Sequence, residues 1–271
     1  MLPFIHIWRF NISLYGVCMV LGLAVSFFIS YRRAKRASLS TDHLTIIAAM
    51  CFLGALVGAK LLYIVVTYTP SEFIQALREG HTEELLGGGL VFYGGLIGGV
   101  LAAPLGAKIA GTKTEKCRLK PYVDAVVPSL PFAHAIGRIG CYLGGCCYGF
   151  PYDGPLASRY YYIAADGNVA VGYAFPTQLV ESGLNVCLGI FLLLYSRKRK
   201  VTLKLYMTVY AVIRFCLEFL RGDEKRGSFL MFSTSQWISL AIIAVCTALT
   251  LAEKLAKGSH AKSEESSAQE D

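Results

Sequence analysis

Residues 12–31 read ISLYGVCMVLGLAVSFFISY, and RRAKR follows directly at 32–36. An α-helix needs roughly 20 predominantly apolar residues to cross the hydrocarbon of a bilayer, and a basic cluster at its end marks the boundary with water. The basic cluster lies behind the apolar run and no small-residue cleavage pattern intervenes, so a retained anchor is expected rather than a signal peptide. The same length of apolar sequence recurs near 45–68, 88–111, 179–196, 203–221 and 236–256. A seventh run, from about Pro121 to Tyr142, is interrupted by Pro128, Pro131, His134 and Arg138. Irregular or charged segments at membrane depth are tolerated where they face protein or a polar cavity, so this run is expected to be a broken, cavity-lining crossing. The expected fold is all-α: a polytopic integral membrane protein of about seven transmembrane helices.

Composition agrees. Of 271 residues, 55% are hydrophobic and only 16% charged, and the mean hydropathy is +0.51. A soluble domain averages about 25% charged residues. The net charge of +8 does not point to nucleic acid, because the basic residues lie in clumps between apolar runs. Arg32, Arg33, Lys35 and Arg36 form one clump, Lys113, Lys116, Arg118 and Lys120 a second, and Arg197, Lys198, Arg199 and Lys200 a third. These occupy alternate loops, and the positive-inside rule assigns them to the cytoplasm. With seven crossings the amino terminus is then outside and the carboxyl terminus cytoplasmic. Residues 1–257 are expected to form one transmembrane domain, and 258–271, rich in Ser, Glu and Lys, a disordered cytoplasmic tail. Two outer loops are long, 69–86 with Ser71, Glu72 and Glu83, and 150–177 with Tyr160, Tyr161 and Tyr162 in a row.

Ionisable groups within apolar windows are costly and need a partner or a polar cavity. Lys60, Arg138, Arg214 and Glu218 stand out. Tyr210, Arg214, Glu218 and Arg221 follow at four-, four- and three-residue steps, which places them on one helical face and lets Arg214 pair with Glu218. A structural ion pair with a snorkelling Arg221 explains that pattern as well as a functional site does. The run GRIGCYLGGCCYG at 137–149 joins Arg138 to small residues that let a headgroup approach backbone amides, and a guanidinium offers phosphate a planar fork of donors. Asp124, earlier in the same apolar run, is a plausible partner for one arginine. The stretch GGGLVFYGGLIGG at 87–99 spaces Gly94 from Gly98, and Gly95 from Gly99, by four residues, the mark of close helix packing. Tyr93 precedes the double glycine at the outer end of that helix.

Nine cysteines are present. Cys18, Cys51, Cys187, Cys216 and Cys246 lie within apolar stretches and read as small hydrophobes. Cys141, Cys146 and Cys147 cluster near the outer face, where packing, a disulfide, participation in a reaction, thiol exchange or a metal are all open. A membrane thiol or metal protein centred on them, and a lipid-binding membrane protein without catalysis, are the alternatives to an enzyme.

Several blocks occur together and in order: Tyr15-Gly16, Gly58-Ala59-Lys60, Tyr93-Gly94-Gly95-Leu96-Ile97-Gly98, Asp124 ahead of Gly137-Arg138-Ile139-Gly140, Pro176-Thr177-Gln178-Leu179 with Glu181, Tyr210 through Arg214 to Glu218 and Arg221, and Gln236-Trp237. In this ordered set the chain resembles the prolipoprotein diacylglyceryl transferase family along nearly its whole length. The resemblance implies transfer of the diacylglyceryl group of phosphatidylglycerol to the lipobox cysteine of a prolipoprotein, in the bacterial cytoplasmic membrane and toward its outer side. It implies catalytic roles for Arg138, Arg214, Tyr93 and Glu218. Substrate contacts are implied for Tyr15, Lys60, Gly94, Gly95, Asp124, Gly137, Gly140, Cys146, Tyr210 and Arg221. No metal or organic cofactor is implied, because the phospholipid carries its own leaving group. This chain departs from the family pattern at three places. Tyr93 stands where His is common, Lys60 where Arg is common, and Cys141, Gly144 and Cys146 where Asn, Asn and Glu are usual. The last change removes a carboxylate able to accept a proton.

Overall fold

The computed structural model describes residues 4–7, 10–80, 89–111, 116–163, 168–198, 201–221, 228–229 and 232–267. Gly87, Gly88, Glu83, Lys113, Arg199, Lys200 and 268–271 lie outside the described residues. Helices dominate: α1 (Leu14–Arg36), α2 (Thr41–Thr67), α3 (Pro70–Arg78), α4 (Phe92–Ala110), α5 (Leu119–Val126), α6 (Leu130–Leu143), α7 (Thr177–Tyr195), α8 (Leu203–Glu218) and α9 (Thr234–Ser267). Beside them, among the described residues, lie three antiparallel two-stranded hairpins, β1 (Phe4–Ile7) with β2 (Phe10–Ser13), β3 (Ser158–Ile163) with β4 (Val169–Ala174), and β5 (Ser228–Phe229) with β6 (Phe232–Ser233). The expected outer loop at 150–177 is thus partly a tyrosine-rich hairpin, and 69–86 contains helix α3.

Among the described residues five helices, α1, α2, α4, α7 and Thr234–Glu253 of α9, are long and apolar enough to cross a membrane. They leave large apolar side chains uncovered, such as Val57, Leu61 and Val65 on α2 and Leu96, Val100 and Leu101 on α4. Such surfaces suit lipid and oppose water. Two of the seven expected crossings differ from a plain span. Helix α8 has 16 residues, about 24 Å at 1.5 Å per residue. The run near 121–142 is broken as expected. Helix α5 ends in a 3-10 turn, Val127–Ser129, before α6 begins with Pro131 in its first turn. Pro128 and Pro131 each remove a backbone donor, and the Ser129 hydroxyl donates to the Val126 carbonyl at 2.7 Å.

The chain divides into two compact units, Met1–Phe28 with Val126–Asp271, and Ile29–Ala125. In the second unit α2 and α4 pack backbone to backbone. A Cβ on Gly94 would strike the Gly58 carbonyl, and one on Gly98 would strike that of Gly54. The four-residue glycine spacing read from the sequence therefore does produce close packing. Ser40 caps α2 by accepting from the His43 amide at 3.3 Å. Arg33 Nε donates to the Ala125 carbonyl at 2.9 Å, neutralising the carbonyl-rich end of α5. Thr69 and Glu72 form a capping box at the start of α3.

In the first unit α6 packs chiefly on α7, and α8 on α9. Gly189 makes room for the Phe132 ring, and Gly140 lets α6 approach Cys18 and Tyr15 of α1. The centre of this unit is polar: Ser129, Gln178, Glu181, Ser182 and Asn185 are all buried. Ser26 and Ser129 hydroxyls meet at 2.8 Å, and Ser182 donates to the Ala135 carbonyl at 2.9 Å. Buried polar groups are stable when hydrogen-bonded, and here they hold helices together where lipid supplies no hydrophobic drive.

Candidate active site

Helical spacing sets the site. His134 and Arg138 lie four residues apart on α6, as do Tyr210, Arg214 and Glu218 on α8, so each set shares a face. Arg138 Nη2 is 2.8 Å from Glu181 Oε2 of α7, with the two side chains 14% and 4% exposed. The other Glu181 oxygen accepts from the Tyr210 hydroxyl at 3.4 Å and lies 3.6 Å from His134 Nε2. Tyr210 also meets His134 Nε2 at 3.4 Å. One buried carboxylate therefore ties α6, α7 and α8 together.

Arg214 Nη2 lies 2.7 Å from Glu218 Oε2, again with both side chains nearly covered, and donates to Ser235 Oγ of α9 at 3.1 Å. Removing such charges from water is costly and is offset by the paired geometry. Arg138 Nε and Arg214 Nη1 are buried without a hydrogen-bond partner. The charges of both guanidiniums act on Tyr210 and His134. The arrangement offers two positive donor forks with spare N–H groups around a tyrosine hydroxyl. It suits an oxyanion such as a phosphate diester.

Other expected site residues take distinct places. Gly137 and Gly140 face α1, with Tyr15 half-exposed beside Gly140 and within electrostatic reach of Arg138 and the three clustered cysteines. Arg221 lies beyond the end of α8, and its backbone bridges to Gly149 in antiparallel fashion. Cys146 is exposed in the turn after α6. Lys60, Tyr93, Gly94, Gly95 and Asp124 belong to the second unit. Lys60 Nζ sits 4.9 Å over the Tyr63 ring, and Tyr93 is exposed. Gly94 and Gly95 pack on α2. The Asp124 carboxylate is 3.9 Å from Lys120, and its main-chain carbonyl accepts from Arg33 at 3.5 Å. Arg138 instead uses Glu181, the lone acidic residue of the 179–196 window and the functional side chain that sequence reasoning left off the site. Its isolation in an apolar window was the available signal.

The turn after α6 brings three thiols together. Gly145 adopts φ +68° and Cys147 φ +60°, the Cys146 amide returns to the Cys141 carbonyl at 3.1 Å, and the three sulfurs lie within 4.8 Å of one another. Hydrogen bonding from Cys141 and Cys146 holds the Cys147 thiol well below the usual thiol range, and Arg138 and Arg221 push the same way. The same bonds raise Cys146.

Fold and site together define a multi-pass membrane protein with an anion-receptive arginine pair sunk among its helices. The family described as prolipoprotein diacylglyceryl transferase matches residues 3–252. The chain belongs to that family. It is 36% identical over 85% of its length to the phosphatidylglycerol–prolipoprotein diacylglyceryl transferase of Clostridium tetani, covering 89% of that protein. It is 33% identical over 88% of its length to transferase 2 of Clostridium perfringens, covering 90% of it. The Streptococcus uberis enzyme of the same name is 27% identical over 94% of this chain and 95% of its own length.

Proposed function

We propose that the chain transfers the diacylglyceryl group from phosphatidylglycerol to the thiol of a prolipoprotein lipobox cysteine, forming a thioether and releasing glycerol phosphate. The supporting observation is the pair Arg138 and Arg214, each largely covered, each matched to a carboxylate, and each keeping a buried N–H unpartnered. In the reaction the bond between the glycerol carbon and the phosphate oxygen breaks as the sulfur–carbon bond forms. The thiol proton passes to solvent. Charge grows on the departing phosphate, and donors fixed in advance stabilise it without reorganisation. Glu181 and Glu218 hold the guanidiniums in place. Tyr210 faces the same anion.

Catalytic roles for Tyr93 and Glu218, and substrate contacts from Tyr15, Lys60, Gly94, Gly95, Asp124, Gly137, Gly140, Cys146 and Arg221, are carried over from the family resemblance. The bacterial cytoplasmic membrane and the outward-facing site come from the same resemblance, whereas seven crossings, a transferase domain over 1–257 and a cytoplasmic tail over 258–271 rest on the apolar runs, the basic clumps and the composition of the tail.

The test is transfer by the purified protein in detergent, with phosphatidylglycerol labelled in its acyl chains and a lipobox peptide carrying Cys or Ser. Label is expected on the Cys peptide alone. No label on it with phosphatidylglycerol, or label appearing only with another phospholipid, would overturn the assignment.

A further inference from the structure

Gripping phosphate needs none of the thiols of Cys141, Cys146 and Cys147, yet the backbone around them is shaped to bring them together. Gly144 and Gly145 reverse the chain, and Cys147 is held in the left-handed region at φ +60°, which a side chain adopts only when its surroundings enforce it. Those surroundings are buried side chains of α7. Gln178 Nε2 donates to the Cys146 carbonyl at 2.7 Å, and Thr177 Oγ1 donates to the Cys147 carbonyl at 3.0 Å. No disulfide joins the three cysteines of this turn. The three clustered sulfurs are within 4.8 Å of one another. Zinc–sulfur bonds of about 2.3 Å in tetrahedral geometry separate sulfurs by roughly 3.8 Å, so a shift of about an ångström closes the set on one ion.

Charge and access agree. Three thiolates around a dication leave one negative charge, and Arg138 Nη1 stands 4.0 Å from Cys141 Sγ to balance it. Three protein ligands leave a fourth tetrahedral position free, as in catalytic zinc sites, and Cys146 is exposed to what approaches. We infer that Cys141, Cys146 and Cys147 form a three-thiolate zinc site whose open position binds the acceptor's cysteine as a thiolate beside the phosphate-gripping Arg138. The balanced step is binding of the acceptor thiol to the zinc with release of one proton to water at the outer face. The zinc-bound sulfur then attacks the glycerol carbon as that carbon's bond to the phosphate oxygen breaks, glycerol phosphate leaves beside Arg138, and the product sulfur dissociates as a thioether, a weaker ligand. This rests on the transferase reading, and it gives the chain a means of activating the thiol where the family's usual carboxylate is missing.

The full chain purified in detergent is analysed for metal, then loaded with Co²⁺ and titrated with the lipobox peptide carrying Cys or Ser. About one zinc per chain is expected, lost in Cys146→Ser and Cys147→Ser and kept in Cys216→Ser. The cobalt form should show sulfur-to-metal absorption in the near ultraviolet that changes with the Cys peptide and not with the Ser peptide. Absence of metal, metal that survives Cys147→Ser, a disulfide within the cluster found by mass spectrometry, or cobalt bands indifferent to the Cys peptide would each overturn the site as stated. Full transfer by zinc-free protein sinks this inference while sparing the transferase. A peptide-responsive site in a protein that transfers no lipid does the reverse.

Discussion

Glu181 serves three helices with one carboxylate, so charge and shape at this position can be separated by substitution. Glu181→Gln keeps the shape and a hydrogen bond to Tyr210 but leaves Arg138 without its counter-charge. Transfer is expected to fall on the order of 100-fold, comparable to losing one preorganised donor, in an assay with labelled phosphatidylglycerol. Glu181→Ala should also destabilise the fold by about 3–5 kcal/mol, since an orphaned buried charge is worse than none, read by thermal unfolding in detergent. Arg138→Lys keeps charge and loses the fork; a similar fall in rate is expected, and wild-type transfer would show that the fork does not hold phosphate. The pairing of Arg214 with Glu218 was legible because residues four apart on a helix share a face, and it is present at 2.7 Å. The Arg138–Glu181 pairing was not, since it depends on how α7 is rotated against α6, and a residue's neighbours across helices are not written in its own helix. Asp124 looked a natural partner from sequence proximity and meets Lys120 instead.

Among elements, the α2–α4 pair is the most exacting. Gly98→Val would drive a branched side chain into the Gly54 carbonyl, and overpacking of this kind costs about 1–3 kcal/mol or more. A lower unfolding temperature in detergent is expected, with Gly183→Ala on α7, where a Cβ meets nothing, as the neutral comparison. Helix α3 is held at its start by Glu72, whose carboxylate accepts from the Thr69 amide at 2.8 Å. That bond lowers its pKa below the ordinary 4.5. The capping contribution is therefore full above the ordinary value and is lost as pH falls through the depressed one. Protection against amide exchange at Phe73 and Glu72, taken relative to the intrinsic rate at each pH, should fall on acidification across that interval and stay flat in Glu72→Gln. Apolar runs gave the long helices to within about five residues, except that α9 continues to Ser267, well past the expected 256, and the two prolines gave the break at 127–129. Hairpin β3–β4 was hidden because its strands are set by cross-strand contacts such as Arg159 over the Tyr173 ring at 5.7 Å, which periodicity does not reveal. The short length of α8 was equally hidden, since its apolar pattern continues past the point where the backbone leaves the helix.

For the whole molecule, the basic clumps and helix order predict an outer amino terminus and seven crossings. Reporter fusions that are active only outside should work when joined after Tyr161 and fail after Lys198, with a cytoplasm-only reporter giving the opposite pattern. A matching signal at both points would remove a crossing between them. The membrane class was open to reading because lipid imposes length and polarity on every span. The division into two units was not, because it depends on which helices share contacts. The backbone contact of Gly54 with Gly98 and Gly58 with Gly94 bears on how the protein withstands extraction. Cohesion between α2 and α4 comes from direct atomic contact rather than from expelling water, so exchanging lipid for detergent leaves it unchanged. No acyl tail is slender enough to wedge between them. The hairpin these two helices make is expected to remain the last part of the chain to come apart when a purified sample ages.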